Sequence, residues 1–144
     1  MIRNYIIDDI VDFGLIYQIW AKVHDSEDTE NSFYVHFLNV EEQPINLKVG
    51  SKIKGELYID VKNSSVSKEY NSNLMHTQSW PKKIGHDSDI VAVVDVIQVI
   101  DEFSALVKTD FYKSGIIVEF NTKMMLHEND RIHIEGLLEL DYEA

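Results

Sequence analysis

Apolar residues recur at every second position over long stretches of this chain. Within residues 52–62, Ile53, Gly55, Leu57, Ile59 and Val61 fall on one face, with Lys54, Glu56, Tyr58, Asp60 and Lys62 on the other. Near the C-terminus Ile132, Ile134, Gly136, Leu138, Leu140 and Tyr142 face opposite to Arg131, His133, Glu135, Glu139 and Asp141. Side chains of a β-strand point to alternate faces, so this period predicts half-buried antiparallel strands with one solvated side. Residues 33–39 and 116–121 predict shorter strands of the same kind. Residues 15–24 and 90–100 carry apolar side chains on both faces, the pattern of a central strand. Residues 105–113 are expected to pair back on the latter through a turn at 101–104. No window has a helical period, and the nearest, 41–52, is short and contains Pro44.

The two halves of the chain resemble each other. KIKGELYID at 52–60 aligns with HIEGLLELD at 133–141, placing Gly55 on Gly136 and Asp60 on Asp141 at an offset of 81 (133 − 52). FYVHFLN at 33–39 aligns with IIVEFNT at 116–122 at an offset of 83 (116 − 33). A duplicated strand–loop–strand unit accounts for both matches. Gly55 and Gly136 sit on the apolar faces of their strands, where glycine commonly marks a bend or a close approach of another backbone. Residues 62–89 are polar and rich in Ser and Asn, and predict a long loop. Trp80-Pro81, with Leu74 and Met75, is expected to pack part of that loop back onto the body. The expected architecture is one all-β domain over 1–144, an antiparallel β-barrel or β-sandwich, like an oligonucleotide-binding barrel by fold-level analogy only.

Charge changes the picture more than size does. The 144 residues include 25 Asp and Glu against 13 Lys and Arg, a formal charge of -12. With 44% hydrophobic residues spread through the chain, it is not an acidic disordered tail. The absence of cysteine excludes disulfides, thiolate zinc sites, iron–sulfur clusters and a cysteine nucleophile. Asp8, Asp9 and Asp12 interrupt the N-terminal apolar stretch, which does not read as a signal peptide. Asp95 and Gln98 break the longest apolar run, which falls short of the roughly 20 residues that span a bilayer. A cytoplasmic chain without membrane association is expected.

Chemistry is sparse. GxGxxG, GxxxxGK[ST], HExxH and GxSxG are all missing. His127, Asp130 and His133 have no usual metal-ligand spacing. The acidic run HDSEDTEN at 24–31 lacks the mid-loop glycine and closing glutamate of an EF-hand. No catalytic residue, metal or cofactor is expected, and no enzymatic activity.

The remaining signal concerns partners. The aromatic side chains of a small barrel suit stacking on single-stranded nucleic acid, but the clustered bases are only Lys48, Lys52 and Lys54, then Lys82 and Lys83. Phosphate would be repelled at this net charge. The acids concentrate instead. Asp25, Glu27, Asp28 and Glu30 occur together without a base, and in 128–143 Arg131 alone faces six acids. Glu135, Glu139 and Asp141 are expected in line on the solvated face of the last strand. These acids, with Tyr34, Tyr58 and Trp80 as aromatic anchors, form the expected interface for a basic protein. In size, acidity and lack of cysteine the chain is similar to bacterial immunity proteins, a likeness of composition and not of residues. That likeness implies an inhibitor covering the active surface of a basic toxin or nuclease. The alternative expectation is a barrel binding single-stranded nucleic acid or a small ligand. The oligomeric state stays open, since an exposed terminal strand would offer an edge to a second copy.

Overall fold

A computed structural model describes residues 2–12, 19–38, 47–78 and 90–143. Every regular element among them is a strand: β1 (Arg3–Asp12), β2 (Ile19–Asp25), β3 (Ser32–Leu38), β4 (Lys52–Lys68), β5 (Met75–Gln78), β6 (Ile90–Asp101), β7 (Ser104–Lys108), β8 (Ile116–Phe120) and β9 (Arg131–Glu143). The chain is all-β, as the alternation predicts. No described helix is long and apolar enough to cross a membrane. Strand β4 continues through Lys68 and β5 follows at Met75, so much of the stretch expected to be loop is strand. Strand β7 stops at Lys108, short of the predicted 113.

The described residues divide into two compact units. One holds those up to Leu57 and from Leu138 onward, the other those between. In the first, β1 pairs antiparallel with both β2 and the start of β4, β2 pairs with β3, and β3 runs parallel to the end of β9. Gly55 of β4 lies against the β9 backbone, where an added Cβ would meet the Asp141 carbonyl oxygen at 2.6 Å, so the pairings close on themselves. Tyr5 meets Phe33 edge-on at 6.4 Å, and Phe37 meets Tyr142 likewise at 5.6 Å. All four rings are buried, and removing such side chains from water is worth about 1.5–3 kcal/mol each. Burial also pushes the Tyr142 phenol above its ordinary value.

The second unit repeats this plan. Strand β6 pairs antiparallel with β7 and with the start of β9, β7 pairs with β8, and β8 runs parallel to β4. Gly136 of β9 lies against β4, 2.4 Å from its added Cβ to the Asp60 carbonyl oxygen. Strand β5 adds on β6, filling the edge that the short β7 leaves. The order β1–β4 therefore recurs as β6–β9, and the two aligned glycines do the same job. Arg3 stands opposite Gly55 as Ile90 stands opposite Gly136. Phe37 stands opposite Leu140 and Val118 opposite Ile59, which puts the third and fourth strands of both halves at one offset, 81 (118 − 37 and 140 − 59). The alignment at 83 is thus two residues out of register, a slip that leaves every side chain on its correct face. The expectation of purely antiparallel strands fails at β3–β9 and β4–β8, because both halves end in a parallel pair.

A candidate binding cleft in the second unit

The turn entering β9 is built around a left-handed residue. Asn129, at φ 70°, donates its N–H to the Val96 carbonyl (2.8 Å), and the Val96 N–H returns to Asp130 (2.8 Å). The Asp130 N–H donates to the His127 carbonyl at 3.1 Å, and the Asp130 carboxylate accepts the His127 N–H at 2.8 Å. Asn is among the few residues that adopt this conformation cheaply. A β-bulge follows in β6 between Val96 and Gln98. The first unit makes the same turn before β4. Gly50, at φ 88°, donates to Ile7 (2.7 Å), Ile7 returns to Ser51 (3.0 Å), Ser51 donates to Lys48 (3.0 Å), and a bulge follows Ile7.

The second turn borders a polar cavity of about 370 Å³ lined by Lys68, Glu69, Tyr70, Asp95, Asn129, Asp130 and Arg131. Arg131 and Asp95 face each other across β6 and β9, and the guanidinium grips the carboxylate through Nε (2.7 Å) and Nη2 (2.9 Å). Its remaining arm, Nη1, donates to the Ser72 carbonyl at 2.7 Å. The Arg131 hydrogen bonds hold the Asp95 carboxyl below its ordinary range against the opposing effect of burial, and Asp95 in turn holds the guanidinium above its own. The Glu69 N–H donates to the Arg131 carbonyl at 2.8 Å, joining the end of β4 to β9. Ser72 Oγ donates to Glu69 at 3.0 Å. Lys68 Nζ stands 3.6 Å from Asp130, beyond hydrogen-bond length. Tyr70 is 85% exposed at the rim.

The acids singled out by sequence divide sharply. Asp25 and Asp28 are buried. Asp25 accepts the Glu27 N–H at 2.9 Å and lies 3.6 Å from Arg3 Nη1, while Asp28 accepts from the Glu30 N–H (3.3 Å) and Asn31 Nδ2 (3.0 Å). These two shape the β2–β3 turn, a use of Asp that its short acceptor side chain suits. Glu27 and Glu30 are exposed, and Glu27 meets Arg3 at 3.1 Å. The run that has no base in sequence is therefore supplied one by β1. Glu139 is 9% exposed and lies 3.5 Å from His36 Nδ1, with the His36 ring tilted against Trp20 at 4.8 Å. This corrects the expected line of solvated acids: the outer face of β9 is covered at Glu139 by β3. Glu135 and Asp141 are half-buried, as are Tyr34 and Tyr58. Trp80 lies outside the described residues. His127 and Asp130 come together, whereas His133 pairs along β9 with Val93 of β6. Among the described residues no group of three or more His, Cys, Asp or Glu side chains is placed to hold a metal ion.

Sequence reasoning missed the cleft. Its one signal was Arg131 as the sole base in an acidic run. Comparison with protein-family models, curated proteins and solved structures finds no match to the chain.

Proposed function

We propose that this chain is a non-enzymatic acidic binding module that captures a basic protein, in the manner of an immunity protein that covers the active surface of a toxin or nuclease. The observation that carries the reading is the β6–β7 ribbon. Ile97, Ile100 and Phe103 are 45%, 48% and 44% exposed there, beside the exposed acids Asp101 and Glu102. Ile97 and Ile100 each fall within a bulge of β6, a device that re-aims side chains at sheet ends. Apolar anchors bordered by charge are the composition of an interface centre with its rim. The surplus of acid supports the same partner. Arg3, Lys68, Lys123 and Arg131 each have a carboxylate within 4 Å, so internal pairing takes up bases that are already the minority. The resulting field steers a cationic protein towards the surface and repels anionic ones.

Among the described residues a nucleic-acid role draws its support from the exposed cluster Lys48, Lys52 and Lys54, against the net charge, and Lys82 and Lys83 lie outside them. The test is capture from the source cell's lysate on the immobilised full chain at low and high salt. Stoichiometric recovery of a basic protein whose activity the chain inhibits is the expected result. Recovery of no basic protein at low salt, or of one whose activity is untouched, overturns the reading.

A further inference from the structure

The charged cluster at the β9 turn is not required by the turn. The first unit builds the same hydrogen-bonded turn and bulge from Lys48, Gly50 and Ser51, and the pair equivalent to Asp95–Arg131 is Ile6–Lys52. Glu69 and the rim tyrosine of the second unit therefore exceed what the turn demands, whereas Asp130 also takes the His127 N–H and Arg131 also holds the Ser72 carbonyl. Their arrangement is also specific. Arg131 is spent on Asp95 and the Ser72 carbonyl, so it acts as a fixed wall and not as a free cation. What faces the cavity beside that wall is carboxylate: Glu69, held by one hydroxyl, and Asp130, which among the described residues takes the His127 N–H at 2.8 Å and has Lys68 Nζ at 3.6 Å. Beside them stands the open ring of Tyr70.

A guanidinium is planar, weakly hydrated and able to stack on an aromatic face while donating to carboxylates in its plane. We infer that this cleft receives one arginine side chain of a basic partner, stacked on Tyr70 and held by Glu69 and Asp130, with Lys68 a loosely bound occupant that it displaces. The inference rests on the proposed capture of a basic protein and adds to the β6–β7 ribbon one side-chain contact that such a partner makes. Lys68 fits the part, being 45% exposed and beyond hydrogen-bond length from Asp130.

The test is a titration of the full-length chain with hexa-arginine and hexa-lysine peptides at low salt, followed by backbone amide NMR shifts. Hexa-arginine is expected to shift the amides of Lys68–Tyr70 and Asn129–Arg131 most, and to bind more tightly than hexa-lysine. Tyr70→Ala should weaken it about two- to fivefold, and Glu69→Gln about threefold. Lys68→Ala should tighten it about threefold, an effect that loss of folding cannot mimic. Weaker binding by Lys68→Ala, or indifference to Tyr70→Ala, overturns the inference. Shifts confined to the Glu27–Glu30 turn or to the β6–β7 ribbon overturn the cleft while leaving the acidic module intact. No shift anywhere at low salt overturns both.

Discussion

Replacing Gly136 by alanine sets two effects of opposite sign against each other. Intrinsically alanine is preferred in a strand interior by about 0.5–1 kcal/mol, because glycine loses more backbone entropy on folding. At this position, however, the new Cβ would stand 2.4 Å from the Asp60 carbonyl oxygen and 3.0 Å from its carbonyl carbon, where ordinary contact begins at 3.4 Å. The obstacle is backbone, so no rotamer change relieves it, and β4 or β9 must move by about 1 Å (3.4 − 2.4). A shift of that size breaks ladder hydrogen bonds on both sides, and overpacking of a rigid site lies at the upper end of the 1–3 kcal/mol range. The net expectation is a loss of about 2–3 kcal/mol, which lowers the melting midpoint by about 6–12 °C for a chain of this length. Gly55→Ala, meeting the Asp141 carbonyl oxygen at 2.6 Å, should cost nearly as much. Gly115→Ala meets only the Leu106 side chain and should cost less. Urea denaturation of the three variants decides the matter. A loss below about 0.5 kcal/mol for both Gly55→Ala and Gly136→Ala would refute the claim that these glycines let β4 and β9 approach.

The other expectations concern charge. Asp95 has its folded pKa lowered, so its pairing stabilises the fold fully above the ordinary carboxylate value near 3.8, and that contribution is lost as pH falls through the lowered value. The urea-midpoint difference between the native chain and Asp95→Asn should therefore shrink on acidification from neutrality; a difference constant with pH contradicts the pairing. Asp25→Ala should cost about 1–2 kcal/mol, since it strips a partner from the Glu27 N–H and from Arg3, whereas Glu27→Gln and Glu30→Gln should stay within about 0.5 kcal/mol; equal effects in denaturant melts would remove the distinction between turn acids and surface acids. Glu139→Lys should destabilise by about 2–4 kcal/mol because it places an ammonium at a buried position beside His36, while Glu135→Lys stays within about 1 kcal/mol; matching melts for the two would return Glu139 to the solvated face.

Period two made β3, β8, β9 and the first part of β4 legible, because a strand with one wet face records its burial in its own residues, while β2 and β6 were legible as runs apolar on both faces. Strand β1 escaped notice. Its buried Tyr5 and Ile7 are followed by Asp8 and Asp9, and only the partner His24, 2.9 Å from Asp8, shows how a half-buried acid is tolerated there. Strand β5 is four residues long and mostly polar, too short for any period to register. Pairing direction was illegible because alternation is the same in parallel and antiparallel strands. Glu139 was misplaced for a related reason: one strand's pattern shows which face is apolar, but not where a neighbour covers the other face. The match of Gly55 with Gly136 carried more than composition, since both mark a backbone contact that any side chain would block. The cleft was hidden because Lys68–Tyr70, Asp95 and Asn129–Arg131 meet only through strand pairing.

The most direct test of the account is the association rate of the full chain with the basic protein it captures, followed by stopped-flow fluorescence over rising salt. Steering by a net charge of -12 predicts a rate that falls by about tenfold or more between about 20 and 500 mM salt, as the screening length contracts from roughly 20 Å to below 5 Å. A rate that stays level over that range would contradict the claim that acidity is what this surface uses to find its partner.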